Sequence, residues 1–220
     1  MRDQERHPNQ WLLFLDARTP AAQISALRQV IGGEAELVFA TGELTDAAIA
    51  HEVQARLPAG TRRLVTTRLD SDDALGTRML ERVHGRALTS AGFLNPDSGI
   101  QVFGKTVMLR YDSSSAFMSF VETVEPARAP STVFCTEHYK ARSTAPVRRL
   151  PGINYVQVIH DGKLANQLEG IPVPRRWAAG NLGFDPVGPT HPGARTGPAI
   201  LAAAAARILV RELSGLVRRR

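Results

Sequence analysis

Arg63-Leu64-Val65-Thr66-Thr67-Arg68-Leu69-Asp70-Ser71-Asp72-Asp73-Ala74-Leu75 is the stretch whose reading decides the fold. After the break Pro58-Ala59-Gly60, the branched run Leu64 to Leu69 reads as a short strand. The run ends in three carboxylates within four residues. An apolar-periodic segment follows, and Ala74, Leu75, Met79, Leu80 and Val83 predict a helix. One acid just ahead of a helix is favoured by the N-terminal dipole and its unpaired N–H groups. Three are not explained that way, because clustered like charges repel unless a cation or donor sits among them. A hard divalent cation, Mg²⁺ or Mn²⁺, takes oxygen ligands and bridges carboxylates to phosphate oxygens. The triplet therefore predicts a metal–phosphate site at a strand end.

The residues before it prepare that position. Trp11-Leu12-Leu13-Phe14-Leu15-Asp16 is a continuous apolar run of strand length, which predicts burial on both faces and a parallel, central place. Thr19-Pro20 reads as a cap and first helical residue, Ala21 to Ile31 as the helix, and Gly32-Gly33 as its end. Glu36 to Ala40 is the next strand, and Thr45 caps a helix running to Leu57. The order β-α-β-α-β-α is that of an open α/β sheet. Sites in such sheets form beyond the carboxyl ends of the strands, where both Asp16 and the Asp70–Asp73 triplet fall.

Downstream the pattern changes. Ile100 to Phe103 and Thr106 to Leu109 flank Gly104-Lys105 and read as a β-hairpin. Ser113-Ser114-Ser115 opens a predicted helix carrying Phe117, Phe120, Val121 and Val124, with Glu122 solvated or turned inward. Val133 to Cys135 and Tyr155 to Ile159 read as strands, followed directly by Thr136-Glu137-His138-Tyr139 and His160-Asp161-Gly162. Prolines thicken from Ile171 onward, so 174–198 reads as a Pro/Gly-rich loop or linker after a domain over 1–173. Residues 199–220 form a basic amphipathic pattern, a C-terminal helix suited to peripheral contact with an anionic membrane or to an ordinary surface position.

The 220 residues, 43% of them hydrophobic, suffice for one sizeable core. A formal charge of +6 suits acidic partners. Nucleic acid is not favoured, since the arginines are scattered and aromatics make up only 6% of the chain. Cys135 is the single cysteine, which excludes an intramolecular disulfide, suits a reducing cytoplasm and reads as a packed thiol. Neither a signal-like N-terminus nor an apolar run of about 18 residues is present, so the expectation is a cytoplasmic protein, soluble or peripheral at the inner face of the membrane.

Thr66-Thr67-Arg68-Leu69-Asp70-Ser71-Asp72-Asp73-Ala74 resembles the Thr-Arg-Leu-Asp-x-Asp-Asp-Ala signature of a rhamnosyltransferase-like family of bacterial glycosyltransferases with the GT-A fold. Trp11 to Asp16 with Thr19-Pro20 is similar to that family's second strand, and Phe93-Leu94-Asn95 with Gly99-Ile100-Gln101 to its segment after the acidic motif. Val156-Gln157-Val158-Ile159-His160-Asp161-Gly162, with Asn166, is similar to its late Gln-x-x-His-Gly pattern. The resemblance covers roughly residues 9 to 173.

It implies a GT-A-like mixed sheet flanked by helices, lacking its first β-α unit because the chain begins at the family's second strand. It also implies a metal-dependent transferase moving a sugar from a nucleotide-sugar donor to a glycan or other acceptor, as in building a cell-surface polysaccharide. The alternative is a catalytically impaired or truncated GT-A-fold remnant that binds without turnover. Carried over, Asp70, Asp72 and His160 are the metal candidates, with Mn²⁺ or Mg²⁺ as cofactor. Arg68, Asp70, Asp73 and Asp16 are candidates for holding the donor. A lone histidine at a strand end serves as readily as a hydrogen-bonded structural residue. An inverting transfer also needs a general base for the acceptor hydroxyl, for which Glu137, His138 and Asp97 are candidates by position. A phosphatase built on Asp-x-Asp would want a hydroxyl residue where Ala74 stands.

Overall fold

The computed structural model describes residues 10–89, 91–125, 128–160 and 168–187. It is a mixed α/β structure of three sheets flanked by helices. The N-terminal residues 1–9, Asp161-Gly162, Asn166 and the expected helix over 199–220 lie outside the described residues.

The first α/β steps form as their pattern predicts. Strand β1 (Leu12–Asp16) leads into helix α1 (Ala21–Ile31), which ends where Gly32 adopts the left-handed conformation. Pro20, not Thr19, is the cap; the Thr19 hydroxyl donates instead to the Asp16 carbonyl at 2.6 Å. Strand β2 (Glu36–Ala40) pairs with β1 in parallel, and Thr45 caps helix α2 (Asp46–Gln54) by accepting from the Ala48 N–H at 3.2 Å. The alternation then departs from one continuous sheet. Strand β3 (Arg63–Thr67) pairs not with β1 but with β8 (Ser119–Thr123), so β1 and β2 form a two-stranded sheet of their own. β1 is half-buried, not enclosed on both faces as its apolar run suggested.

β3, β8, β5 (Gly92–Asn95) and β9 (Val147–Arg149) form a four-stranded sheet in the order β3-β8-β5-β9. Residues 113–124 are thus two turns and a strand rather than a helix. β8 is paired on both edges, with Val121 packed on one face and Phe120 on the other. Apolar residues on both faces erase the alternation that would have marked a strand. Glu122 is neither solvated nor free inside; its carboxylate accepts the N–H groups of Ser131 and Thr132 at 2.8 and 2.9 Å. Those bonds hold Thr132 at φ 58, the left-handed region that a β-branched residue rarely enters.

The hairpin is present as β6 (Ser98–Phe103) and β7 (Thr106–Tyr111). A five-stranded sheet is built on it in the order β11-β7-β6-β10-β4, with β10 (Ile153–Val158) parallel to β6, and with two short edges, β4 (Ala74–Leu75) and β11 (Ile171–Pro172). The helix expected from Ala74 therefore starts later, as α3 (Met79–Ala87). Ala74 and Leu75 are drawn into antiparallel pairing with Val156 and Tyr155, and Gly76 donates to the Asn154 carbonyl at 2.7 Å. Residues 133–135 are a turn, not a strand. Their N–H groups are taken by side chains instead of a ladder, Val133 by the distant Thr66 hydroxyl and Phe134 by the neighbouring Thr132 hydroxyl.

Two helices cover the large sheets. Met79, Val83 and Ala87 of α3 pack with Leu75, Leu94, Val121, Leu150 and Tyr155. Helix α5 (Arg175–Leu182) lays Ala178 and Leu182 on Ile100, Val102, Val107 and Val156. The segment 174–198, expected as loop or linker, thus begins with a core helix; Pro174 marks its start, and Ala178 and Leu182 recur at helical spacing behind it. A third short helix, α4 (Ala141–Thr144), packs Ala141 beside Phe93, Met118 and Val133. Among the described residues, no helix is long and apolar enough to cross a membrane.

Candidate functional site

The acidic triplet forms the turn that leaves the carboxyl end of β3 and enters β4. The antiparallel pairing of β4 with β10 lays this turn against the carboxyl end of β10. Asp73 accepts the Val158 N–H at 2.9 Å, across 85 residues of sequence. Asp72 and His160 then face each other, Nε2 to Oδ2 at 3.2 Å, with about a third of the Asp72 side chain and half of the His160 side chain exposed. Arg68 reaches the Asp70 carboxylate at 2.9 Å, and its guanidinium lies 5.7 Å from the Phe134 ring centre. So Asp70, Asp72, Asp73, Arg68 and His160 share one rim.

Each acid has a different partner there: Arg68 for Asp70, imidazole for Asp72, a backbone donor for Asp73. Like-charge repulsion within the triplet is thereby offset without burial. Among the described residues, no group of three His, Cys, Asp or Glu side chains gathers to hold a metal ion. The rim instead offers a carboxylate and an imidazole side by side and open to solvent. That donor set fits a cation whose remaining positions are filled by phosphate oxygens and water, the usual habit of Mg²⁺ and Mn²⁺.

Asp16 lies at the end of the separate β1–β2 sheet, where Arg18 binds it at 2.6 Å and holds its carboxyl down to about 2. The Arg18 side-chain bonds are the main cause, with the Arg18 N–H second.

The three candidate bases lie on two other segments. Ser98 pairs with Ile153 at one end of the β6–β10 ladder, and Val102 pairs with Val158 at the other. Asp97, just before β6, is therefore roughly 17 Å from the acidic rim by strand rise. Its carboxylate is almost fully buried, bonded to the Arg149 guanidinium and the Ser98 hydroxyl. Asp97 is tied into the fold rather than aimed at solvent. His138 is held through its carbonyl, which accepts from Ser114 Oγ at 2.5 Å, while its buried Nδ1 has no hydrogen-bond partner among the described residues. Glu137 is exposed on the same turn. That turn runs from Phe134, beside Arg68, to His138, beside Ser114. Phe134 thus stands beside Arg68 and His138 beside the β7 end of the sheet, with Glu137 between them in sequence.

A polar track that sequence reading missed joins the two ends. Gln157 and Gln101 meet at 2.8 Å, Arg110 donates to Gln157 at 2.7 Å and to Asp112 at 2.8 Å, and Asp112 accepts the Ser114 N–H at 2.9 Å. Gln101 and Arg110 lie on strands that otherwise read as apolar, which was the available signal. Arg110 Nε is the other buried atom left without a partner among the described residues. Cys135 is partly buried, and burial, with Glu122 nearby, pushes its thiol up, as suits a packed thiol rather than a nucleophile. No family model, curated protein or solved structure matches the chain.

Proposed function

We propose that the chain is a metal-dependent glycosyltransferase of GT-A type, moving a sugar from a nucleotide-sugar donor to an acceptor. The observation that carries the reading is the meeting of Asp72 and His160 at 3.2 Å, on a rim that also holds Asp70 and Arg68. Asp72 and His160 would hold a Mn²⁺ or Mg²⁺ ion, with Asp70 beside them. The ion supplies charge for the departing nucleoside diphosphate, whose negative charge grows in the transition state. Arg68 adds a second positive charge on the same rim. Asp73, bonded to the Val158 N–H, fixes the turn so that these groups are placed before substrate arrives. Glu137, exposed on the turn that passes Arg68, is the base the geometry favours over buried Asp97.

A second reading, a binding module of the same ancestry without turnover, has its own support in the separation of the β1–β2 sheet from β3. The test is thermal stability of the chain with UDP-, GDP- and dTDP-sugars, each with and without Mn²⁺. A ligand that binds only the native state raises the melting temperature by mass action. The transferase reading expects a Mn²⁺-dependent rise with one donor, lost in Asp72→Ala, together with sugar release on incubation. A rise without release favours the binding module. No rise with any donor counts against both.

A further inference from the structure

We propose that the Gln157 side-chain amide donates an N–H group to an oxygen of a metal-held diphosphate; that Asp72 and His160 hold such a group rests on the transferase reading. The way the amide is held carries the inference. Its Oε1 accepts from Gln101 Nε2 at 2.8 Å and from Arg110 Nη1 at 2.7 Å, so both lone pairs of that oxygen are taken. Gln101 is fully buried, and its own Oε1 accepts the Glu169 N–H at 2.7 Å. Arg110 is fixed in turn by Asp112 at 2.8 Å. Exchanging the oxygen and nitrogen of the Gln157 amide would set donors against donors, so its orientation is determined. Nε2 has no hydrogen-bond partner among the described residues, and it is open to solvent on a partly buried side chain.

The strands set the direction in which that nitrogen points. β6 and β7, which carry Gln101 and Arg110, lie on one edge of β10 and draw Oε1 that way. β4 lies on the other edge, with Ala74 paired to Val156 and Leu75 to Tyr155. The same register puts Asp73 opposite Gln157, and Asp73 accepts the N–H of the next residue, Val158, at 2.9 Å. The unused N–H groups are thus turned from β6 toward the acidic turn, on a residue three places before His160. A side chain that offers donors and has no acceptor to spare suits a ligand oxygen that only accepts. Phosphate oxygens are of that kind, whereas a sugar hydroxyl brings a proton of its own. The guanidinium on Oε1 polarises the amide and strengthens the outward N–H groups. A neutral donor also adds no charge that would compete with the cation for the rim carboxylates.

Side-chain amide NMR of the full chain tests the inference, with pyrophosphate, UDP, GDP, dTDP and geranyl diphosphate as probes, each with and without Mg²⁺. The Gln157 NH₂ pair, assigned by its loss in Gln157→Glu, is expected to shift with at least one diphosphate in the presence of Mg²⁺ and not with Mg²⁺ alone. Gln157→Glu keeps an oxygen for Gln101 and Arg110, so the melting temperature should hold while affinity for that diphosphate falls about tenfold or more. Gln157→Met, which removes the N–H groups without adding charge, should weaken it too. Equal responses to pyrophosphate and the nucleotides assign the contact to the phosphates alone; a larger one with a single nucleotide, or with geranyl diphosphate, names a nucleotide or a lipid as the source. An unmoved Gln157 pair while backbone amides at 70–73 and 158–160 shift would overturn the inference and leave the transferase reading standing. Equal shifts of the pair with and without Mg²⁺ would keep the phosphate contact and count against the metal rim. No response to any probe would overturn the inference and count against the rim as well.

Discussion

The β1–β2 region and the β5–β6 region carry similarly apolar strands and end up in different states. Residues 92–97 are buried without interruption, and Phe93 and Leu94 are each 1% exposed. Every residue of β1 is at best half-buried, and β2 and α1 bury only Val38 and Ile31. β5 has a neighbour on each edge, and α3 and α4 contribute to the cores on its two faces; among the described residues β1 has only β2 on its edge. Apolar content states what a strand can bury, and its neighbours decide what it does bury.

The largest test of that contrast is a pair of truncations. Phe93→Ala is expected to cost about 3–5 kcal/mol, as a buried aromatic with a residual cavity does. Phe14→Ala in β1 should cost about 1 kcal/mol, since a half-buried side chain gains only part of its transfer free energy. Urea midpoints measure both, and equal losses would mean that β1 is enclosed in solution in a way the separate sheet does not provide.

A single methyl sharpens the other side of the comparison. A Cβ on Gly99 would fall 2.3 Å from the Tyr155 ring, which stacks on Phe117 with centres 4.1 Å apart. Gly99→Ala should destabilise the chain by about 1–3 kcal/mol, with retained secondary structure by circular dichroism. An unchanged midpoint would mean that Tyr155 can leave its stack freely.

The smallest effect belongs to Asp16, at the exposed end of β1. Arg18 lowers its carboxyl from 3.8 to about 2, so this contribution is fully present above pH 3.8 and is lost as pH falls toward about 2. Carboxyl NMR titration should show this depressed value, and Arg18→Ala should return it to the ordinary range. An ordinary value with Arg18 present would contradict the pairing.

Local signals were legible where the chain decides locally. The Gly104-Lys105 hairpin, the Thr45 cap and the Gly32 helix end are set by neighbours in sequence, and they stand where their pattern puts them. Readings failed where a distant partner overrides the local pattern. Ala74-Leu75 belongs to a strand because β10 lies beside it, and β8 escapes its helical spacing because both its faces are covered. For the site, the acidic triplet and His160 were visible as separate motifs, and their meeting depends on the β4–β10 pairing. The Gln101–Gln157–Arg110–Asp112 track was hidden because its members are single polar residues on three different segments.

The most direct test of the rim is the site of paramagnetic broadening when trace Mn²⁺ is added to the chain with a nucleoside diphosphate. The account predicts selective loss of amide signals at 70–73 and 158–160, greater with the diphosphate than with Mn²⁺ alone, and abolished in Asp72→Ala. Broadening centred on Asp112 instead, or none anywhere, would contradict the claim that Asp72 and His160 form the metal–diphosphate site.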